Sequence, residues 1–106
     1  NVTISGSLTE NSDISLKENI TDIDNALDKV NNLRGVEYNM IADESKTKKI
    51  GFIAQEVEEV VPELVFDNDD VKSVSYSNTV ALLVESIKEL TDKVNDLQGQ
   101  IDAMRA

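Results

Sequence analysis

The chain has 106 residues, the size of one small domain with a limited hydrophobic core. Its 21 acidic and 10 basic residues give a net charge of −11, which repels nucleic acid and anionic membrane surfaces, so we expect neither as a partner. Cysteine and histidine are absent, which excludes disulfides, cysteine nucleophiles and Ser-His-Asp sites and leaves lysine and the carboxylates for acid–base chemistry.

Residues 1–11 are predicted to be the end of a β-rich segment and the linker that joins it to the next domain. Apolar residues alternate with Ser and Thr there, as they do in a strand, and Gly6 indicates a kink or bulge. The chain begins at Asn1 without a methionine, so we interpret it as a piece of a longer protein. It has no signal-peptide pattern and no apolar run long enough to span a membrane.

Residues 12–76 are predicted to form a small α+β domain. Apolar residues recur at three- and four-residue steps after Ile20, which predicts a helix with Thr21 as its N-cap and Gly35 at its end. The later elements are a strand, a second strand, a helix stopped by a proline, and a β-hairpin, at residues 36–40, 50–53, 55–61 and 65–76.

The hairpin contains an acidic run, Asp67-Asn68-Asp69-Asp70, that invites comparison with a calcium loop. The glycine of an EF-hand loop is missing, and its twelfth position is Asn78 where a bidentate glutamate is needed. We therefore predict a solvated turn, with no metal site and no cofactor.

Residues 77–106 are predicted to form a coiled-coil helix, with Ser77 or Asn78 as its N-cap. An unbroken pattern over four heptads places apolar residues at positions a and d. The predicted oligomerisation seam consists of Val80, Ile87, Val94 and Ile101 at position a, and of Leu83, Leu90, Leu97 and Met104 at position d.

The heptad pattern leaves the number of strands open. β-Branched residues at a with leucine at d favour two strands in a parallel coiled coil. Largely uncharged e and g positions favour three strands instead, as do Leu82 and Val84, which widen the apolar stripe near the start of the helix.

Ser12 and Lys17 are the candidate catalytic pair, a serine with a lysine five residues downstream. A neutral lysine amine can act as the base for a serine hydroxyl, although an isolated pair with this spacing is more often a surface turn. Ser15 is a rival nucleophile by proximity alone. Asp13 and Glu18 lie close in sequence and would hold the lysine in its charged form if they paired with it.

The stretch Ser-Asp-Ile-Ser-Leu-Lys-Glu-Asn-Ile at residues 12–20 closely resembles the opening of the C-terminal intramolecular chaperone domains of phage tail fibres and tailspikes. These domains form the endosialidase-type family, also classed as the S74 peptidases. The most specific further match is Gly-Phe-Ile-Ala-Gln-Glu-Val at residues 51–57. Other matching stretches follow in order at residues 26–30, 33–36, 62–65, 72–77 and 80–83. Together they extend the resemblance over residues 12–106.

The resemblance implies a self-cleaving chaperone that forms a homotrimer and assists the folding of an upstream fibre segment of its own chain. It implies cleavage between Asn11 and Ser12, with Ser12 as the nucleophile and Lys17 as its base, in a single-turnover autoproteolysis without a cofactor. The family also often carries a basic residue where this chain has Ser15. The implied location is the host cytoplasm during virion assembly, with release of the chaperone on maturation.

Two other interpretations stay open at the level of sequence. The chain can be a non-catalytic coiled-coil oligomerisation module in which Ser12 and Lys17 are inert surface residues. It can also be the self-cleaving domain of a membrane-tethered eukaryotic regulator, since the same kind of domain occurs in such proteins.

Overall fold

The computed structural model describes residues 9–105; the strand pattern predicted in the first eight residues lies outside them. Two 3₁₀ turns lie at Ile14–Leu16 and Pro62–Leu64. The helices and strands, in chain order, are α1 (Ala26–Asn31), β1 (Val36–Tyr38), β2 (Lys49–Gly51), α2 (Ala54–Val60), β3 (Val65–Asn68), β4 (Val71–Val74) and α3 (Tyr76–Arg105). The predicted α+β class with a long C-terminal helix is therefore confirmed.

Helix α1 starts later and ends earlier than the sequence pattern predicts. Its N-cap is Asn25, which has a φ of 55° in the left-handed region, so the prediction of Thr21 as N-cap is wrong. Its C-cap is Asn32, and Gly35 lies beyond the helix, directly before β1. A helix of six residues is not stable by itself in water, and α1 is held by its packing against α3.

The four strands form two separate antiparallel hairpins. In the first, Val36 pairs with Gly51, and in the second, Val65 pairs with Val74. The second hairpin turns through Asp69, which has a φ of 56°, and Asp70. The acidic run is thus a hairpin turn, as predicted.

The hydrophobic core is small and is centred on α2. Its buried apolar side chains are Ala26, Val57, Val61, Leu64 and Leu82. Pro62 follows α2 and opens the 3₁₀ turn that carries Leu64 back into this core, because proline fits the first position of a helical turn but cannot continue the preceding one.

Two ion-pair groups at the surface join α2 to its neighbours. Arg34 donates two hydrogen bonds to Glu56, at 3.1 Å from Nε and 2.6 Å from Nη2, and these hold the pKa of the Glu56 carboxyl below its ordinary value. Lys72 donates to Asp67 at 2.6 Å and to Glu58 at 3.2 Å, and these bonds raise the pKa of the Lys72 amine. Such surface pairs fix geometry more than they stabilise the fold.

Helix α3 begins at Tyr76, so Ser77 and Asn78 lie within its first turn and neither is the N-cap. Its 30 residues extend for about 45 Å, and the chain measures 63 Å along its longest axis. Only one face of α3 is buried by the rest of the domain, through Thr79, Leu82 and Ser86. The C-terminal half of the helix is exposed all round.

The ring of Tyr76 attaches the start of α3 to Phe52, the residue that follows β2. This ring stacks on Phe52 with a centroid distance of 5.7 Å, and its hydroxyl oxygen accepts a hydrogen bond from the Phe52 N–H at 3.0 Å. A Cβ at the neighbouring Gly51 would lie 2.5 Å from that hydroxyl oxygen and 3.3 Å from the ring of Tyr38. Position 51 therefore admits only glycine without a displacement of Tyr76.

We expect Gly51→Ala to lower the free energy of unfolding by about 1–3 kcal/mol, the usual cost of an overpacked buried site. Gly35→Ala is the matched control, since a Cβ there meets nothing within 4 Å. Urea unfolding of both variants measures the difference. Equal stability of the two would contradict the close contact between Gly51 and Tyr76.

Candidate catalytic dyad and helix seam

A single 3₁₀ turn brings Ser12 and Lys17 together. Asp13 is the N-cap of this turn and accepts a hydrogen bond from the Ser15 N–H at 2.9 Å. The Lys17 N–H closes the turn on the Ile14 carbonyl at 3.1 Å. The side chain of Lys17 then folds back, and its Nζ lies 2.6 Å from Ser12 Oγ, to which it donates a hydrogen bond.

The carboxylates near the dyad are engaged with other partners. The Ser15 N–H and hydroxyl hold the pKa of Asp13 below its ordinary value, so that carboxylate stays charged and bound to Ser15. Glu18 accepts a hydrogen bond from the Asn19 amide at 3.4 Å. Within residues 9–105, no carboxylate forms a salt bridge with Lys17. The serine hydroxyl is accordingly the partner of the amine.

The dyad lies open to solvent in the single chain. Ser12 and Lys17 are both exposed, and the apolar side chains around them are only lightly covered: Ile14 is 75% exposed, Leu16 is 67% and Ile20 is 65%. The side-chain hydrogen bonds of this segment are made within the segment itself. Ile23 is the next apolar side chain along the sequence, and it packs against the core.

The predicted seam lies on a part of the α3 surface that the domain leaves uncovered. All eight seam side chains are exposed, with exposed fractions between 43% for Leu83 and 84% for Met104. The buried residues Leu82 and Ser86 occupy heptad positions c and g, where α3 packs on α1. A further cleft on α3, beside Ala81 and Glu85, lies against the segment 21–23. The a and d positions are therefore uncovered in the single chain.

The family model "Peptidase_S74: Chaperone of endosialidase" matches residues 12–66, which is more than half of the chain. The chain belongs to this family. The resemblance inferred from the sequence motifs is therefore confirmed, and the match begins at Ser12.

Proteins similar to this chain carry the name "Long tail fiber protein Gp37". The one from Enterobacteria phage K3 is 40% identical over 98 residues, which are 85% of this chain and 8% of that protein. The one from Salmonella phage S16 is 32% identical over 108 residues, 92% of this chain and 14% of that protein. The one from Enterobacteria phage M1 is 36% identical over 96 residues, 82% of this chain and 38% of that protein. The chain therefore corresponds to a minor part of each relative.

Residues 9–105 contain no cluster of three or more acidic, histidine or cysteine side chains arranged to hold a metal ion. In the same part of the chain, no helix combines the length and the apolar character that crossing a membrane requires.

One long-range contact was missed by sequence reasoning. Glu89 on α3 accepts hydrogen bonds from the N–H groups of Ala26 and Leu27, at 2.9 and 3.1 Å. Glu89 is one of several acidic residues on the polar side of α3, and nothing in the heptad pattern distinguishes it. Its partners are 62 and 63 positions away in sequence, so a local pattern contains no trace of the contact.

Proposed function

We propose that this chain is a self-cleaving intramolecular chaperone of a phage tail fibre. It trimerises through α3, assists the folding of the fibre segment that precedes it, and separates from that segment by cleavage between Asn11 and Ser12. The observation that carries the proposal is the 2.6 Å contact between Lys17 Nζ and Ser12 Oγ, at the first residue of the family match. The names of the similar proteins support the fibre as the upstream partner.

The bonds that change in this cleavage involve Ser12, Lys17, the Asn11 carbonyl and a water molecule. In its neutral form, the Lys17 amine takes the proton of the Ser12 hydroxyl across the short contact. Ser12 Oγ then attacks the carbonyl carbon of Asn11, the C–N bond breaks, and the nitrogen receives a proton from the lysine ammonium. The Asn11 acyl group now forms an ester with Ser12. Water hydrolyses this ester, which leaves a carboxylate on Asn11 and a free amine on Ser12.

A trimeric helix seam suits the folding problem of a β-rich fibre. Intertwined β structures depend on contacts between distant residues, so they fold slowly and expose aggregation-prone edges meanwhile. A helical seam forms from local contacts and raises the effective concentration of the three chains for one another. Cleavage after folding then makes assembly irreversible. On this proposal the domain acts in the host cytoplasm during virion assembly, without nucleic acid, membrane or cofactor as partner.

N-terminal sequencing and intact mass of the purified chain test this function. We expect the folded protein to be cut between Asn11 and Ser12, so that the larger fragment begins at Ser12 with a free amine. A well-folded trimer that keeps Asn1 as its N-terminus would instead support the non-catalytic oligomerisation module.

Replacing Lys17 tests the general base directly. We expect Lys17→Ala to slow cleavage by about 10²–10⁴-fold, the usual contribution of a positioned acid–base group. Lys17→Arg is expected to be equally slow because a guanidinium stays protonated at any workable pH. Mass spectrometry over time gives the rates, and efficient cleavage by the arginine variant would assign Lys17 a structural role only.

A further inference from the structure

Helix α1 obtains its N-terminal cap from α3 instead of from its own sequence. Asn25, at the N-cap position, makes no side-chain hydrogen bond to the helix. The first two N–H groups of α1, those of Ala26 and Leu27, donate instead to the two carboxylate oxygens of Glu89. Ala26 is fully buried at this contact, so water cannot easily replace the carboxylate. A charged acceptor at a helix N-terminus is also favoured by the helix dipole.

The formation of α1 therefore depends on α3. A helix of six residues does not persist alone, and its main packing partner and its cap both come from α3. Glu89 lies between the seam residues Ile87 and Leu90. Its carboxylate reaches α1 from a helical stretch of α3 in which Ile87 and Leu90 are exposed in the single chain.

The start of α1 is also the nearest firm support for the catalytic turn. Ile23 and Ala26 are the first side chains after Lys17 that pack in the core, whereas the turn itself is exposed and bonded within itself. If α1 loses its cap, its first residues are held less firmly in the core, and the segment between Lys17 and Ala26 becomes less well fixed. The conformations in which Ser12 meets the Asn11 carbonyl are then populated less often.

We propose that Glu89 is a positioning residue for self-cleavage, which links the assembled part of α3 to the Ser12–Lys17 turn through the N-terminus of α1. This inference rests on the proposed function. Glu89 touches neither Ser12 nor Lys17, so its effect on the dyad is indirect. The proposed route runs from α3 through the N-terminus of α1 to the Ser12–Lys17 turn.

Two measurements on Glu89→Gln test the inference. Glutamine keeps the size of the side chain but offers one acceptor oxygen and no charge. In a Ser12→Ala background, which keeps the chain whole, we expect amide exchange at Ala26 or Leu27 to become about tenfold faster. In the active background, we expect cleavage to become about tenfold slower. Asp92→Asn is the matched control, because it makes the same change of charge at an exposed position on the next turn of α3.

Cleavage rates measured at several protein concentrations distinguish a positioning role of Glu89 from a role in assembly. A variant with a weakened seam regains its cleavage rate when concentration is raised, since assembly depends on concentration. Glu89→Gln is expected to stay slow even where light scattering shows complete assembly. Wild-type cleavage rates in Glu89→Gln, or unchanged amide exchange at both Ala26 and Leu27, would overturn the inference. An unsubstituted chain that is never cut would refute the proposed function itself, and the role of Glu89 in cleavage with it.

Discussion

Ser12→Ala is expected to abolish self-cleavage while leaving the fold and the assembly intact. The substitution removes the only oxygen that lies 2.6 Å from Lys17 Nζ in the described turn, and alanine offers no nucleophile in its place. Ser12 is exposed, so its loss creates no cavity and leaves no buried group without a partner. Intact mass spectrometry should show the full-length chain after an incubation that cuts the wild type to completion.

Ser15→Ala is the matched control for this experiment. Ser15 lies in the same turn and is exposed, but its N–H and hydroxyl hydrogen-bond to Asp13 and not to Lys17. We expect this variant to be cut at close to the wild-type rate. If Ser15→Ala stays whole and Ser12→Ala is cut, the nucleophile has been assigned to the wrong serine.

A charge in the middle of the helix seam is expected to dissociate the protein and prevent cleavage. Leu90→Asp places a carboxylate at position d in every copy at once. Each copy loses the burial of a leucine, worth roughly 1.5–3 kcal/mol per chain, and the carboxylates also repel one another. We expect a monomer by light scattering. Because a small monomer cannot enclose the exposed dyad, we also expect it to stay uncut although Ser12 and Lys17 are unchanged.

The control for the seam is Asn95→Asp, which adds the same charge at the exposed position b of the following heptad. This variant should assemble and cleave like the wild type, for which we expect the mass of three chains. A mass of two chains would mean that β-branched residues at a and leucine at d determine the strand number here. A monomeric Leu90→Asp that cleaves at the wild-type rate would show that self-cleavage does not depend on assembly.

The features that the sequence predicted correctly all depend on local patterns. The α+β class, the α2 helix stopped by Pro62 and the hairpin at Asp69 follow from residues that are neighbours along the chain. The long helix α3 is also predicted from a local pattern, since each heptad repeat spans only seven consecutive residues. The motifs at residues 12–20 and 51–57 identified the family for the same reason, because they are continuous stretches.

The features that only the tertiary structure decided depend on contacts between distant residues. The apolar spacing after Ile20 predicts a helix, but α1 begins at Ala26 because Glu89 of α3 supplies its cap. The strand pattern gives no reason for a glycine at position 51. The reason is the Tyr76 side chain, which lies too close to this position for a Cβ. Sequence alone thus determined the family, the candidate dyad and the seam pattern. The burial of one face of α3 and the contact of Glu89 with the start of α1 were decided by packing between distant residues. The Glu89 carboxylate and its two N–H partners are 63 and 62 positions apart and meet only once the chain has folded.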